Sequence, residues 1–439
     1  MGVRLEVDGS GFRPMLSQFD ENIHFEALET NRARQPSVRT VADSPNGRLA
    51  ASWPAYRGSA RDGHYLGGIL TEWPADGLPL AWRQPSGGGY ASFVLADGRL
   101  FTIEQRRDQE VVTAYDPDTG RELWTHSWDE LFEEMMGGDG PRATPTWDDG
   151  RLFALGATGE LRSLDAATGV LRWRRNVLAD AETGNLHWAM SAAPLVVNNL
   201  VIVLPGGSSN QSVVAYHADT GDIVWTALDD VQGYTAPMLV ELAGEPQIVV
   251  VTASRIAGLT VDTGLLQWDY PWVVSNVPNI AQPVVVGDDR LFVSASYGQG
   301  SVLIKITRIG ARWSATELWR TNQMKNKFSS SVLHNGYIYG LDNSILACLD
   351  AETGKLVWKG GRYGYGQLLL ADGHLVVLTE RGDVALVRAT PAGHMELARF
   401  EALTGKTWNV PTLAAGKLFV RNTTEMAAFD IAPLATSAQ

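Results

Sequence analysis

The side chains best suited to chemistry in this sequence are aromatic rings and cations that stand just ahead of short apolar segments. They are Tyr90 in "GGGYAS", Arg142 in "GPRATP", His187 and Trp188 in "LHWAMSAAP", Tyr234 in "GYTAP" and Asn279 in "PNIAQP". Lys327 and Phe328 in "KNKFSSS", Tyr365 in "GYGYGQ", and Trp408 with Asn409 in "KTWNVP" complete the set. Glu104, Arg106, Asn210, Arg255, Tyr297 and Arg421 stand in what read as loops inside the same segments. Rings that stack and cations that pair suit a flat or anionic small ligand. His187, Tyr234 and Tyr365 are the groups that could serve as acid or base. Against this, a single loop histidine is more commonly just hydrogen-bonded in place, and polar groups also serve to solvate a channel mouth.

Dedicated catalytic motifs are thin. The sequence has no G-x-S-x-G, H-E-x-x-H, P-loop or C-x-x-C. Its eight histidines include no i, i+4 pair, which weakens a zinc reading. The single cysteine, Cys348 in "ILACL", reads as a small core residue. Net charge is −13, a field that repels phosphate backbones, so nucleic acid is excluded as a partner. No apolar run is long enough for a transmembrane helix.

What must position these residues is a repeat. The phrases "YDPDTGRELW", "LDAATGVLRW", "YHADTGDIVW", "LTVDTGLLQW" and "LDAETGKLVW" are versions of one motif. Degenerate copies bring the terminal aromatics to Trp82, Trp124, Trp173, Trp225, Trp268, Trp319, Trp358 and Phe400. Successive spacings are 42, 49, 52, 43, 51, 39 and 42 residues, which suits one four-stranded propeller blade per repeat. Within each repeat a short strand, often led by proline, precedes an Asp-Gly or Asn-Gly hairpin turn. A second and a third strand follow, and the D-x-x-T-G turn leads into the fourth. Proline fits an innermost strand, whose free edge lacks a ladder bond to lose.

The last repeat supplies only three strands, and the first aromatic copy, "LPLAW", has none ahead of it. A strand near 78–85 therefore completes the C-terminal blade and closes the ring. The expected fold is all-β, an eight-bladed propeller over 53–439, preceded by a polar, aperiodic N-terminal arm over 1–52, part of it without fixed structure. The eight aromatics read as docks between blades rather than as catalytic groups. Strand order puts the D-x-x-T-G turns on one face and the ring- and cation-bearing loops around the other axial mouth.

The D-x-x-T-G-x-x-x-W repeats resemble those of the pyrroloquinoline-quinone (PQQ) repeat propellers, from about Trp53 to Ile431. That superfamily includes quinoprotein alcohol dehydrogenases and BamB-type outer-membrane assembly lipoproteins. "WPAYRGSARDGHY", "GGDGPRATPTW", "KNKFSSSVLHNGYIYGLD" and "KTWNVP" also look like a bacterial subgroup described only as PQQ-binding-like repeat proteins. The alcohol-dehydrogenase branch uses a vicinal cysteine pair, which Cys348 alone cannot provide. A BamB-like lipoprotein carries a lipobox cysteine, and no such cysteine or secretory leader is visible. The resemblance implies a periplasmic or cell-envelope setting, with the cytoplasm as the alternative.

Three functions follow as expectations, in an expected monomer. The first is a binding or scaffold propeller that takes a small molecule or a protein partner at the axial mouth. The second is a PQQ-dependent oxidoreductase. There the quinone and Ca²⁺ would lie at the mouth, stacked on Trp188 or Trp408 and paired by Arg142 and Lys327. The third is a carbohydrate-active propeller enzyme.

Overall fold

A computed structural model describes residues 3–11, 13–35, 53–274 and 279–433. Eight four-stranded antiparallel sheets follow one another along the chain, and their first strands meet around a central axis. We number the blades 1 (94–129), 2 (146–176), 3 (195–227), 4 (238–271), 5 (284–321), 6 (332–362), 7 (367–401) and 8 (412–430). Blade 8 borrows its outer strand from Leu80–Pro85, which pairs antiparallel with Glu425–Asp430. The eight-bladed ring and its closure by the N-terminal strand agree with the aromatic spacing.

Local chemistry builds each blade. The first hairpin turns place both central residues at positive φ, as at Asp97 (48°) and Gly98 (68°), and at Asn335 (48°) and Gly336 (81°). These are the angles of a type I′ turn, whose twist matches the flanking strands. In the D-x-x-T-G turns the aspartate accepts from amides two or three residues on. Asp116 takes the Asp118 and Thr119 amides, both at 3.0 Å. The closing glycine then sits at positive φ, 75° at Gly169.

That glycine has a second purpose. A Cβ on Gly169 would lie 2.6 Å from the ring of Trp124, the aromatic of the preceding blade. Gly120 stands the same way to Trp82, and Gly354 to Trp319. The indole N–H of each docked tryptophan donates to the next blade, as from Trp173 to the Ala218 carbonyl at 2.8 Å. A β-bulge between the third and fourth strands recurs beside the aromatic, at Ala114/Tyr115 and Ser163/Leu164 for example, and turns its side chain toward the neighbour. Trp268 is the exception. Blade 5 has a long hairpin in place of a D-x-x-T-G turn, so the Trp268 indole donates within its own blade, to Gln247 Oε1 at 2.6 Å. Phe400 stands two residues beyond the tryptophan register and packs on Trp73 and Phe429. Cys348 is buried opposite Trp358.

Two features ahead of blade 1 were not expected. The segment Trp53–Tyr65 runs across the central channel. Trp53 exchanges backbone bonds with Leu95 of blade 1, and His64–Tyr65 pairs in parallel with the inner strand of blade 7. Arg61, at φ 58°, donates to the Ala193 and Pro237 carbonyls and to Thr146 Oγ1, each at 3.1 Å, and also to the Pro194 carbonyl. Arg57, at φ 61°, bonds the Leu368 and Ser331 carbonyls. Burial lowers both guanidinium pKa values, that of Arg61 to about 9. Two arginines thus tie together the inner ends of blades 2, 3, 4, 6 and 7 and plug the channel.

The arm itself carries a hairpin, Val3–Val7 with Pro14–Gln18, and a helix, Glu21–Ala33. Asp20 caps the helix by accepting from the Ile23 amide. Phe25 and Leu28 are its buried residues, and Arg32 ties it to the Pro85 carbonyl and to Glu122 at the junction of blades 8 and 1. Residues 36–52 of the arm lie outside the described residues, as does Pro278 of the "PNIAQP" loop.

Candidate functional site

The loops that lead into the inner strands converge at one end of the ring. Tyr90, Arg142, Trp188, Tyr234, Lys327, Phe328, Tyr365 and Trp408 line one cavity of about 630 Å³, together with Tyr297. Tyr56 of the channel segment also lines it, so the cavity is a cup whose floor is the plug. Its rings run in a chain around one wall. Tyr90 lies 5.4 Å from Trp408, Trp408 lies 4.7 Å from Phe328, and Phe328 lies 6.0 Å from Tyr365. Trp188 and Tyr234, 6.3 Å apart, form the far wall.

Cations sit against these rings. Arg142 lies 5.4 Å from the centre of Tyr90 and 5.0 Å from that of Phe132, and donates to the Gly140 and Gly138 carbonyls at 2.7 and 2.8 Å. The Lys406 ammonium is 4.5 Å from the centre of the Trp408 ring. Lys327 is surrounded by Tyr297, Phe328 and Tyr365 at 5.1, 5.2 and 5.1 Å. Burial lowers the pKa of Arg142, against the pull of Tyr90, Glu134, Tyr234 and Asp139. It lowers that of Lys327 too, against Asp8 and Glu380. Burial pushes the Tyr234 and Tyr297 phenols up to about 12, so both stay protonated and serve as donors rather than bases at neutral pH. The ring-lined cup carries Arg142 and Lys327 together with Asp8, and the Glu380 carboxylate stands at the same mouth, so charges of both signs meet there.

The other sequence candidates do not line the cup. His187 is exposed at its rim, edge-on to Trp188 and 3.4 Å from Glu134. Asn409 is buried and donates to the Gly89 and Ala91 carbonyls, while Asn279 donates to the Thr252 carbonyl. Asn210 bonds the Thr226 carbonyl at the surface, and Arg255 pairs with Asp229, Asp230 and Asp269. Glu104, Arg106 and Arg421 belong to the ring closure. Arg421 donates from blade 8 to the Ala91, Ile103 and Gly87 carbonyls and to Thr102 and Ser86 hydroxyls. Glu104 accepts from Arg106 at 2.6 Å, the Gly87 amide at 3.0 Å and the Tyr115 hydroxyl at 3.1 Å.

Two components of the mouth escaped the sequence reading. One is Glu380, in the loop "TERGD" between the second and third strands of blade 7. It is the counterpart of the Tyr297 loop in blade 5, so the repeat itself pointed to it. The other is the hairpin tip Asp8–Gly11, which lines the same cavity.

A quinone held by Ca²⁺ would need a cluster of oxygen donors at this mouth. Among the described residues no three His, Cys, Asp or Glu side chains come together in a way that could hold a metal ion. The mouth carboxylates Glu380 and Asp8 already accept from the chain's own amides. Rings and cations suited to an anionic ligand are present, but the oxygen donor set for calcium is not, so the residues do not fit a calcium-chelated quinone.

Comparison with known proteins agrees with the architecture. The family model described as outer membrane protein assembly factor BamB matches residues 107–360 and 314–435. The outer membrane protein assembly factor BamB of Moranella endobia is 25% identical over 257 residues, 56% of this chain and 64% of that protein. The crystal structure of BamB from Moraxella catarrhalis aligns over 80% of this chain and 99% of its own, with TM-score 0.57 and 16% identity. The quinohemoprotein alcohol dehydrogenase of Comamonas testosteroni aligns over 94% of this chain and 84% of its own, with TM-score 0.61 and 15% identity. Both structural likenesses concern the fold.

Proposed function

This chain belongs to the BamB family of PQQ-like β-propellers, and from that premise we propose that it is a binding or scaffold protein whose axial cup receives its ligand. The observation that carries this is the content of the cup. Rings together with Arg142 and Lys327 line an open cup, Lys406 lies against Trp408, and all three cations bond backbone carbonyls. Such a surface binds by aromatic contact and charge and offers no activated nucleophile. The Tyr234 and Tyr297 phenols are held protonated, and His187 faces solvent at the rim. A protein partner in the cell envelope is the setting that the names of the relatives suggest, and the protein acts as a monomer. No described helix is long and apolar enough to cross a membrane.

Reconstitution tests this reading against quinone catalysis. The protein is incubated with PQQ and Ca²⁺ and assayed for dye-linked alcohol oxidation. The expected result is no turnover above that of the free quinone. Turnover that Lys327→Met abolishes would overturn the proposal.

A further inference from the structure

The tip of the N-terminal hairpin is seated in the mouth through its own backbone. The Gly9 amide donates to Glu380 Oε1 at 2.5 Å, and the Gly9 carbonyl accepts from the Lys327 ammonium. Glu380 is buried, and its carboxylate is aimed by two more donors, the Trp408 indole at 3.0 Å and the Tyr365 amide at 3.2 Å. One acceptor and one donor on neighbouring loops therefore address the N–H and the C=O of a single residue. That residue must be small, because a Cβ on Gly9 would run into the Tyr365 ring. The tip is also a formed turn. The Gly11 amide donates to the Asp8 carbonyl at 2.9 Å, and the Asp8 carboxylate accepts from the Ser10 amide at 3.0 Å.

Charged partners to a main-chain N–H and C=O recognise polypeptide as such, and the steric limit at Tyr365 selects glycine. The tip takes only the side of the cup nearest blades 6 and 7. Arg142, Trp188 and Tyr234 face the remaining space from the opposite wall. We propose that the Lys327–Glu380–Tyr365 corner is a recognition site for a glycine-bearing β-turn of polypeptide. The chain's own Asp8–Gly11 turn is its tethered occupant, and a similar turn on a partner protein exchanges with it. This rests on the cup being a binding site and names the class of partner that it takes.

The test uses the full chain and a synthetic peptide of residues 3–18. Gly9→Val in the protein expels the tip. The peptide should then bind at least tenfold more tightly than to the wild type, where a tethered competitor acts at an effective concentration on the order of millimolar. A peptide that itself carries Gly9→Val should not bind, and adding Lys327→Met to the Gly9→Val protein should weaken binding at least tenfold. Equal affinity of the two peptides, or of the two proteins, overturns the proposal. Amide exchange gives a readout that needs no expelled tip. Exchange at Gly9 should speed up at least tenfold in Glu380→Ala and in Lys327→Met, and an unchanged rate overturns the proposal. Anilinonaphthalene sulfonate, an anionic aromatic probe, separates the two levels of failure. If it quenches the mouth tryptophans while the peptide fails, only the turn site falls. If neither binds, the reading of the cup falls as well.

Discussion

Glu104→Gln should cost about 3 kcal/mol of stability near neutral pH, and most of that cost should vanish in acid. The residue is fully buried at the closure between blades 8 and 1. Burial alone would push its carboxyl up, but Arg106, Arg421 and Arg32 overcome that and hold it at about 2, against an ordinary glutamate value of 4.5. A carboxyl depressed by that much contributes about 3 kcal/mol once pH is above its unfolded value. The folded value is the lower one, so this stability is complete above about pH 4.5 and is lost as pH falls toward 2. By about pH 3 roughly 2 kcal/mol of it is gone, leaving a gap of about 1 kcal/mol between wild type and variant. Urea unfolding of both proteins near pH 7 and pH 3 measures the gap, and acid effects elsewhere cancel in the difference. A gap that stays constant between the two pH values would refute the claim that an ionised Glu104 closes the ring.

Glu110 should behave in the opposite sense. Burial raises its carboxyl to about 7, so it opposes folding as pH rises past its unfolded value, and Glu110→Gln should stabilise the protein by about 3 kcal/mol near pH 8 and little near pH 4, read as a shift in urea midpoint. Gly169→Ala should cost about 2–4 kcal/mol, through positive φ and overlap with Trp124. Gly150→Ala, also at positive φ but with open space, should cost about 1 kcal/mol in the same assay. Cys348 is buried and its thiol is pushed up to about 11, so a thiol reagent should label it only at the rate of global unfolding, and fast labelling of the native protein would contradict its core placement.

The ring was legible because its determinants are local and repeated. Turn residues, strand length and the docking aromatic recur from blade to blade, with exceptions at Trp268 and Phe400, and strand order alone chose the face that carries Arg142, Lys327 and Trp408. The errors lie where side-chain direction depends on how far a strand extends. Glu104 and Arg421 read as loop residues, but the strands Arg99–Arg106 and Lys417–Arg421 include them and turn them into the closure. Asn279 and Asn409 stand in the expected loops, yet they turn inward to backbone carbonyls. The plug was invisible for a different reason. Arg57 and Arg61 stand at positive φ with carbonyls from four blades and the Thr146 hydroxyl of a fifth gathered around their side chains, and no local signal carries that. The hairpin tip "VDGSG" reads as a turn in any sequence. Only the assembled mouth shows what it fits.

On the proposed function, binding occurs at the cup and away from the D-x-x-T-G face. A photoreactive benzoylphenylalanine placed at Tyr297, which lines the cup and is exposed, can be compared with one at Val170, exposed on the opposite face. Illumination of the cells that make the protein should give adducts from position 297 and none from position 170. Adducts from position 170 alone would contradict the account.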